Sequence, residues 1–281
     1  MINSKLISGI SFICIFVFLI VGMSTAGMKK LSAYAELDDS VSLPVIMYHS
    51  IGENTGKYVI SPQMLEDDLK IIREMGFTTI TSKDLIAYKE NNVPLPEKSV
   101  ILTFDDGYFN NYTYVYPLLE KYNMKAVISV VGKFTDQYSN ADEPLSNRYS
   151  HITYDQIKQV SSSSVMEIAN HSYDMHAMKE RRGILRKKDE SYEQYKTNLT
   201  QDVEKCNSML KEKCFVSPIA FTYPFGCVNK ESSEIINSMG FKVTYGCEEG
   251  INKINPSHNL KELKRYNRHN TFDIRKILSQ V

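Results

Sequence analysis

Two adjacent acids, Asp105 and Asp106, stand directly after the apolar run Ser99-Val100-Ile101-Leu102-Thr103-Phe104 and before Gly107. Neighbours within a strand point to opposite faces. At a strand end, with Gly107 loosening the backbone, both carboxylates can turn into one pocket. Two close carboxylates repel, which raises a pKa unless a cation lies between them. A divalent metal on one of them removes the conflict; a plain turn or helix cap is the ordinary use of Asp-Asp-Gly. His171 and His176 follow a second apolar run, 166–169, in Asn170-His171-Ser172-Tyr173-Asp174-Met175-His176. Imidazoles are frequent ligands of borderline metals. Their spacing is not the i, i+4 pair of a helical zinc site, so a loop must bring the two rings round. A third run, 219–223, ends in Tyr223-Pro224-Phe225-Gly226, a tight turn able to aim a backbone N–H as an oxyanion donor. A fourth ends in Met47-Tyr48-His49-Ser50, with a further histidine at a strand end. Each motif alone has a bland reading: turn, surface histidine, buried histidine. Gathered on one rim, they supply ligands, a base, an oxyanion donor and an acid, the parts of metal-assisted hydrolysis.

Such a rim has to be built by strands that end together. Short apolar runs at Pro44–Tyr48, 78–80, 99–104, 126–131, 166–169, 219–223 and 241–245 alternate with helical patterns. Ser61-Pro62 opens one helix, with Leu65, Leu69 and Ile72 on one face and Gly76 closing it. Ser82 is read as the cap of a second, over 83–90, and further helices are expected over 114–122, 153–160, 192–211 and 230–239. The nearly continuous apolar strands suit a parallel sheet covered on both faces. Strict alternation of strand and helix predicts an α/β fold, a distorted (β/α) barrel of about seven to eight parallel strands. Reactive residues then belong at the C-terminal strand ends. One domain is expected over 40–281.

Lys plus Arg number 33 and Asp plus Glu 33, so the formal net charge is zero. This composition excludes disorder and a disulfide-dense mini-protein, and argues against broad binding to nucleic acid. Residues Leu6 to Met28 carry no charge and are long enough to cross a bilayer. Residues 1–35 therefore read as a signal peptide, cut after Ala33-Tyr34-Ala35 or Ser24-Thr25-Ala26, or as an uncleaved N-terminal anchor. Either places the rest outside the cytoplasm, with membrane contact through this segment only. Cys206, Cys214, Cys227 and Cys247 could pair, but no C-x-x-C pair marks a structural zinc site, and most are expected to be buried thiols. The stretch 179–186, with Arg181, Arg182 and Arg186, is either a solvated loop or a contact for an anionic glycan. Oligomeric state is not legible.

Thr103-Phe104-Asp105-Asp106-Gly107, His171-Ser172-Tyr173-Asp174-Met175-His176 and Phe221-Thr222-Tyr223-Pro224-Phe225-Gly226 resemble the first three motifs of the polysaccharide deacetylases, the NodB-homology group or carbohydrate esterase family 4. The opening Val45-Ile46-Met47-Tyr48-His49-Ser50-Ile51 and the histidine spacing are similar to the branch of poly-N-acetylglucosamine deacetylases. The resemblance implies one divalent metal ion, usually zinc, with Co2+, Ni2+ or Fe2+ as alternatives. It places Asp106, His171 and His176 on that ion, Asp105 as general base, and the Phe225 N–H, with Tyr223 beside it, at the oxyanion. His49 is the expected general acid, with His269 as fallback because the family's late histidine motif is not clear here. Where the family's third motif carries an arginine that braces the base, this chain has Thr222; Arg265 is the expected substitute. The implied activity is N-deacetylation of N-acetylglucosamine-type residues in a polysaccharide substrate (poly-N-acetylglucosamine, peptidoglycan or chitin-like), with a non-catalytic glycan-binding protein or a polysaccharide O-acetyl esterase as rivals.

Overall fold

The structure is a computed structural model, and it describes residues 40–281. The apolar segment within 1–35, read above as leader or anchor, lies outside the described residues. Among the described residues no helix is long and apolar enough to cross a membrane.

The strands are β1 (Val41–Leu43), β2 (Val45–Tyr48), β3 (Ser50–Ile51), β4 (Val59–Ile60), β5 (Thr78–Ile80), β6 (Ser99–Phe104), β7 (Ala126–Val130), β8 (Met166–Asn170), β9 (Ala220–Thr222), β10 (Val243–Tyr245), β11 (Asn252–Ile254) and β12 (Tyr266–Asn267). The main sheet runs β10-β9-β8-β7-β6-β2-β12, with β5 added to the first half of β6. All of its pairings are parallel. The expected barrel of seven to eight strands is what forms. Its two edges approach through one short segment. Leu263 exchanges backbone bonds with Thr244 and Gly246 beside β10, and Tyr266 and Asn267 then pair with Ile46 and Met47 of β2.

Strand parity sorts the core. Val45, Ile101, Val127, Ala169, Ala220 and Val243 pack together on one face. Ile46, Tyr48, Val100, Leu102, Phe104, Ile128 and Ile168 pack on the other, against Leu65, Leu69 and Ile72 of the helix α1 (Pro62–Glu74). With both faces covered, the strands read as unbroken apolar runs rather than alternating ones. The inner parity continues 45, 47, 49 along β2, 101, 103, 105 along β6, and 169, 171 beyond β8, so His49, Asp105 and His171 follow the inner face upward.

The helices α2 (Ser82–Asn91), α3 (Tyr116–Tyr122), α4 (Gly132–Ser139), α5 (Tyr154–Ser162), α6 (Tyr192–Cys214), α7 (Lys230–Ser238) and α8 (Ile274–Leu278) fill the crossovers and the C-terminus. Two expectations need correction. Helix α2 is capped by Thr81, not Ser82: the Thr81 N–H donates to Asp84 Oδ2 at 2.8 Å, while Ser82 Oγ shares a hydrogen bond with the Tyr245 hydroxyl at 2.8 Å. The helix expected over 114–122 is a π-turn, Asn111–Val115, running into α3. Pro117 has no N–H to give to residue 113, and the Tyr116 N–H reaches back to the Asn111 carbonyl. The four cysteines of the described residues are free thiols, and Cys206, Cys214 and Cys227 are buried.

Candidate active site

The loops after β2, β6, β8, β9 and β10 enclose a cavity of about 570 Å³ whose lining includes His49, Asp105, Asp106, His171, His176 and Phe225. Asp105 extends the β6 ladder by one bond, its N–H donating to the Tyr48 carbonyl at 2.9 Å, and its side chain keeps the inner parity. Asp106 should then point away. It does not, because its φ is +70°. That left-handed turn, which aspartate tolerates better than most residues, swings the second carboxylate into the same cavity. Gly107 follows at φ +68°, packed so closely on Val130 that a Cβ would lie 3.0 Å from its Cγ1. Ser172 (φ 68°) and Phe225 (φ 58°) make the corresponding reversals beyond β8 and β9.

The left-handed turn at Ser172 brings His176 back over His171. His176 Nε2 lies 3.0 Å and His171 Nε2 3.5 Å from Asp106 Oδ1. One ligand atom from each of the three lies within 4.8 Å of the others. His171 Nδ1 sits 2.8 Å from the Thr222 carbonyl. A carbonyl only accepts, so Nδ1 carries a proton, and Nε2 is the nitrogen turned to Asp106: a donor to the carboxylate in the charged ring and a free ligand atom in the neutral one. Burial pushes the Asp106 carboxyl up, but hydrogen bonds from the two imidazoles outweigh it and hold Asp106 well below the usual carboxylate range. One anionic oxygen and two imidazole nitrogens at this separation fit a divalent metal ion.

Asp105 is held differently. Arg265 grips it with two parallel bonds, Nη1 to Oδ1 at 2.8 Å and Nη2 to Oδ2 at 2.9 Å. The guanidinium is completely buried and is itself tied to the Gly246 carbonyl at 2.6 Å and to Thr103 Oγ1 at 3.0 Å. Burial raises the Asp105 pKa and the guanidinium lowers it; the net places the carboxyl below its ordinary value. Thr222 is far from this brace in role: its hydroxyl pairs with Ser129 at 2.7 Å inside the barrel. The arginine therefore reaches Asp105 from the C-terminal segment rather than from the end of β9.

His49 lines the same cavity, its ring 4.8 Å from that of Tyr58. Its Nδ1 is buried without a hydrogen-bond partner. Burial lowers its pKa, and the charges of Asp105 and Asp106 work against that shift. His269 is not among the lining residues; its Nδ1 contacts the Thr271 hydroxyl at 3.0 Å. The Phe225 ring lies tilted against that of His176, with centroids 4.5 Å apart. The turn's own bonds run from Gly226 N–H to the Tyr223 carbonyl and from Cys227 N–H to the Pro224 carbonyl, and neither uses the Phe225 N–H. Tyr223 requires a correction: its side chain is not in the pocket. Residues 221 and 223 share the outer parity, and the Tyr223 ring packs edge-on against Phe221 in the core beneath α6 and α7.

Among the polar and aromatic lining residues, four were not singled out from sequence: Lys57, Tyr58, Tyr108 and Asn267. Tyr108 lies two residues beyond Asp106 and could have been found by proximity. The others sit on segments with no motif. In the stretch 179–186, Arg181 pairs with Glu190 and Arg186 with Glu231, so those two guanidiniums are engaged within the protein.

The polysaccharide deacetylase family model matches residues 92–244. A poly-beta-1,6-N-acetyl-D-glucosamine N-deacetylase of Escherichia coli is 28% identical over 206 residues, covering 66% of this chain and 30% of that protein. The chain thus spans about a third of that relative's length. A Staphylococcus aureus protein of the same name is 24% identical over 209 residues, covering 73% of this chain and 66% of its own. Among solved structures, the de-N-acetylase from Aggregatibacter actinomycetemcomitans superposes with a TM-score of 0.75 at 24% identity, covering 85% of this chain and 100% of that one. IcaB from Ammonifex degensii gives 0.67 at 22% identity, covering 80% and 91%. These two likenesses are of fold. Taken with the family match across both carboxylates, both histidines and the turn after β9, they leave one assignment: the chain belongs to the polysaccharide deacetylase family of hydrolases.

Proposed function

We propose that this protein removes acetyl groups from N-acetylglucosamine-type residues of a cell-envelope or extracellular polysaccharide. The observation that carries the reading is the pair of adjacent carboxylates with separate duties in one cavity: Asp106 faces two imidazoles, and Asp105 is turned to the same space by a buried arginine. Asp106, His171 and His176 would hold one divalent cation, zinc by their donor chemistry, which when bound supplies a Lewis acid to the acetyl carbonyl and the attacking water.

The protein's own groups do the rest. Asp105, ionised and oriented by Arg265, accepts the proton of the attacking water. The Phe225 N–H, fixed by its turn, donates to the oxygen on which charge develops. An amide nitrogen leaves poorly as an anion, so His49 gives it a proton. Acetate departs, and the sugar keeps a free amine. The names borne by the relatives support a poly-N-acetylglucosamine chain as the polymer. The charge-free stretch from Leu6 to Met28 supports an exported catalytic domain, held at or released from the membrane.

The test is acetate release from β-linked N-acetylglucosamine oligomers by the full chain, with Asp105→Asn as control. Release that the variant abolishes supports the reading. Release from O-acetylated xylan alone would make the protein an esterase, and glycan binding without release would make it a binding protein.

A further inference from the structure

The rim of the cavity carries a cation that the chemistry above does not use. Lys57 lines the cavity and is exposed. Among the described residues its ammonium makes no ion pair; Nζ lies 5.1 Å from the centre of the Tyr58 ring. It does not ride on a free loop. The segment between β3 and β4 is tied to the C-terminal segment at two points: Asn267 Nδ2 donates to the Lys57 carbonyl at 2.9 Å, and the Asn270 N–H to the Gly56 carbonyl at 3.0 Å. The backbone that bears Lys57 is thus fixed to β12, the same segment that delivers Arg265.

The cavity offers this ammonium no partner of its own. Asp105 and Asp106 are the acids that line it, and both are engaged, one by Arg265 and the other by His171 and His176. A metal ion on the second site would add positive charge. The apolar side chains on the rim are flat or flexible: Tyr58 is 48% exposed, Phe225 45% and Met178 52%. Ring faces of this kind receive the C–H faces of sugars, so a glycan leaving the cavity past Tyr58 runs beside Lys57. An unpaired, positioned cation next to a sugar-binding ring is a recognition element for an anion carried by that glycan.

Resting on the deacetylase reading, we propose that Lys57 selects glycans bearing an acidic group, a carboxylate or a phosphate, on or next to the sugar that loses its acetyl. Lys57 is a specificity residue; it takes no part in proton transfer.

The experiment compares three probes with the full chain: a peptide-free glycan strand with lactyl carboxylates, a phosphate-substituted N-acetylglucosamine polymer, and a neutral β-linked N-acetylglucosamine oligomer. KM, kcat and equilibrium binding are measured at low and high salt for wild type, Lys57→Ala, Lys57→Glu and Lys57→Arg. The wild type should favour an acidic probe, through KM rather than kcat and most strongly at low salt. Lys57→Ala should shrink the acidic-to-neutral ratio about two- to fivefold, as for one exposed charge pair. Lys57→Glu should invert the ratio, and Lys57→Arg should restore it. Which acidic probe responds identifies carboxylate or phosphate. A wild type that treats acidic and neutral probes alike, or a ratio unchanged in Lys57→Glu, overturns the proposal while acetate release leaves the deacetylase reading standing. A Lys57-dependent preference in binding with no acetate released from any probe would do the reverse.

Discussion

Two buried aspartate–arginine pairs hang on the same C-terminal segment, and only one of them faces the cavity. Arg265 grips Asp105 at 2.8 and 2.9 Å inside the barrel. Arg268 grips Asp68 of α1 at 2.7 and 3.0 Å on the outer side, with the Tyr48 hydroxyl adding a bond to Asp68 at 3.1 Å. Burial is nearly the same: Asp105 is 3% exposed and Asp68 2%. A bidentate brace in low dielectric is therefore not the mark of a catalytic carboxylate. What separates the two is what the carboxylate meets next. Asp105 borders a cavity and the Asp106–His171–His176 cluster, while Asp68 lies on the buried face of α1 beside a tyrosine hydroxyl. One pair fixes a carboxylate at the cavity wall; the other pins the C-terminal strand to the body of the fold.

The most forceful way to break this comparison is to neutralise each aspartate. Asp105→Asn should lower acetate release on the order of 10³-fold while bound metal stays at wild-type level. Asp68→Asn should keep release per folded molecule close to wild type and lower the melting temperature. Equal losses of turnover in the two variants would erase the distinction. Removing the arginines comes next. Arg265→Met and Arg268→Met each leave a buried carboxylate unpaired, a cost of about 3–5 kcal/mol by denaturant unfolding. Replacing both partners of the outer pair, Asp68→Leu with Arg268→Met, should recover most of that stability and keep turnover. The matching double change at Asp105 and Arg265 should not recover turnover.

His49 sharpens the comparison on the side of chemistry. His49→Gln should reduce turnover of an N-acetyl substrate on the order of 10²-fold, and that of an aryl acetate, whose leaving group needs no proton, much less. Parallel losses on both substrates would remove the general-acid role. The smallest effect concerns a buried ionisable ring with no counter-ion. His151 is enclosed by the rings of Tyr108, Phe134 and Tyr138, at 4.9, 4.5 and 5.5 Å. Burial lowers its pKa to about 4. The folded state thus disfavours the imidazolium, so this contribution is complete above the ordinary histidine pKa and is lost as pH falls from about 6.5 towards 4. The loss by pH 4 is on the order of 2–3 kcal/mol. Urea unfolding across that window should show the loss in wild type and a smaller one in His151→Phe.

The legible parts of the molecule were those written locally. Strands such as β6 and β7 are continuous apolar runs, and the ends of β6 and β8 carry Asp105, Asp106, His171 and His176 in short motifs. Helix α4 was missed because it opens on Val131 and Gly132, with no side chain to cap it. Ser82 was mistaken for a cap because it stands next to the true one. Tyr223 was misplaced because its neighbour Phe225 belongs to the site, and only the outer parity of β9 shows that its ring turns away. Asp68, Arg268, Lys57 and Asn267 gave no local signal at all. Their partners lie 200 or more positions away in sequence for Asp68–Arg268 and Lys57–Asn267 alike. Such contacts follow from barrel closure, which no window of sequence displays.

The three reversals at Asp106, Ser172 and Phe225 have an evolutionary edge. A non-glycine residue in the left-handed region carries a penalty of about 1–3 kcal/mol. Selection for heat resistance alone would be drawn to such positions, since glycine relieves the penalty at once. Yet these are the hinges that point a ligand, a ring and an N–H into one space, and glycine would let each of them wander. Thermostable descendants of this chain should therefore harvest their gains elsewhere on the surface and keep these awkward corners.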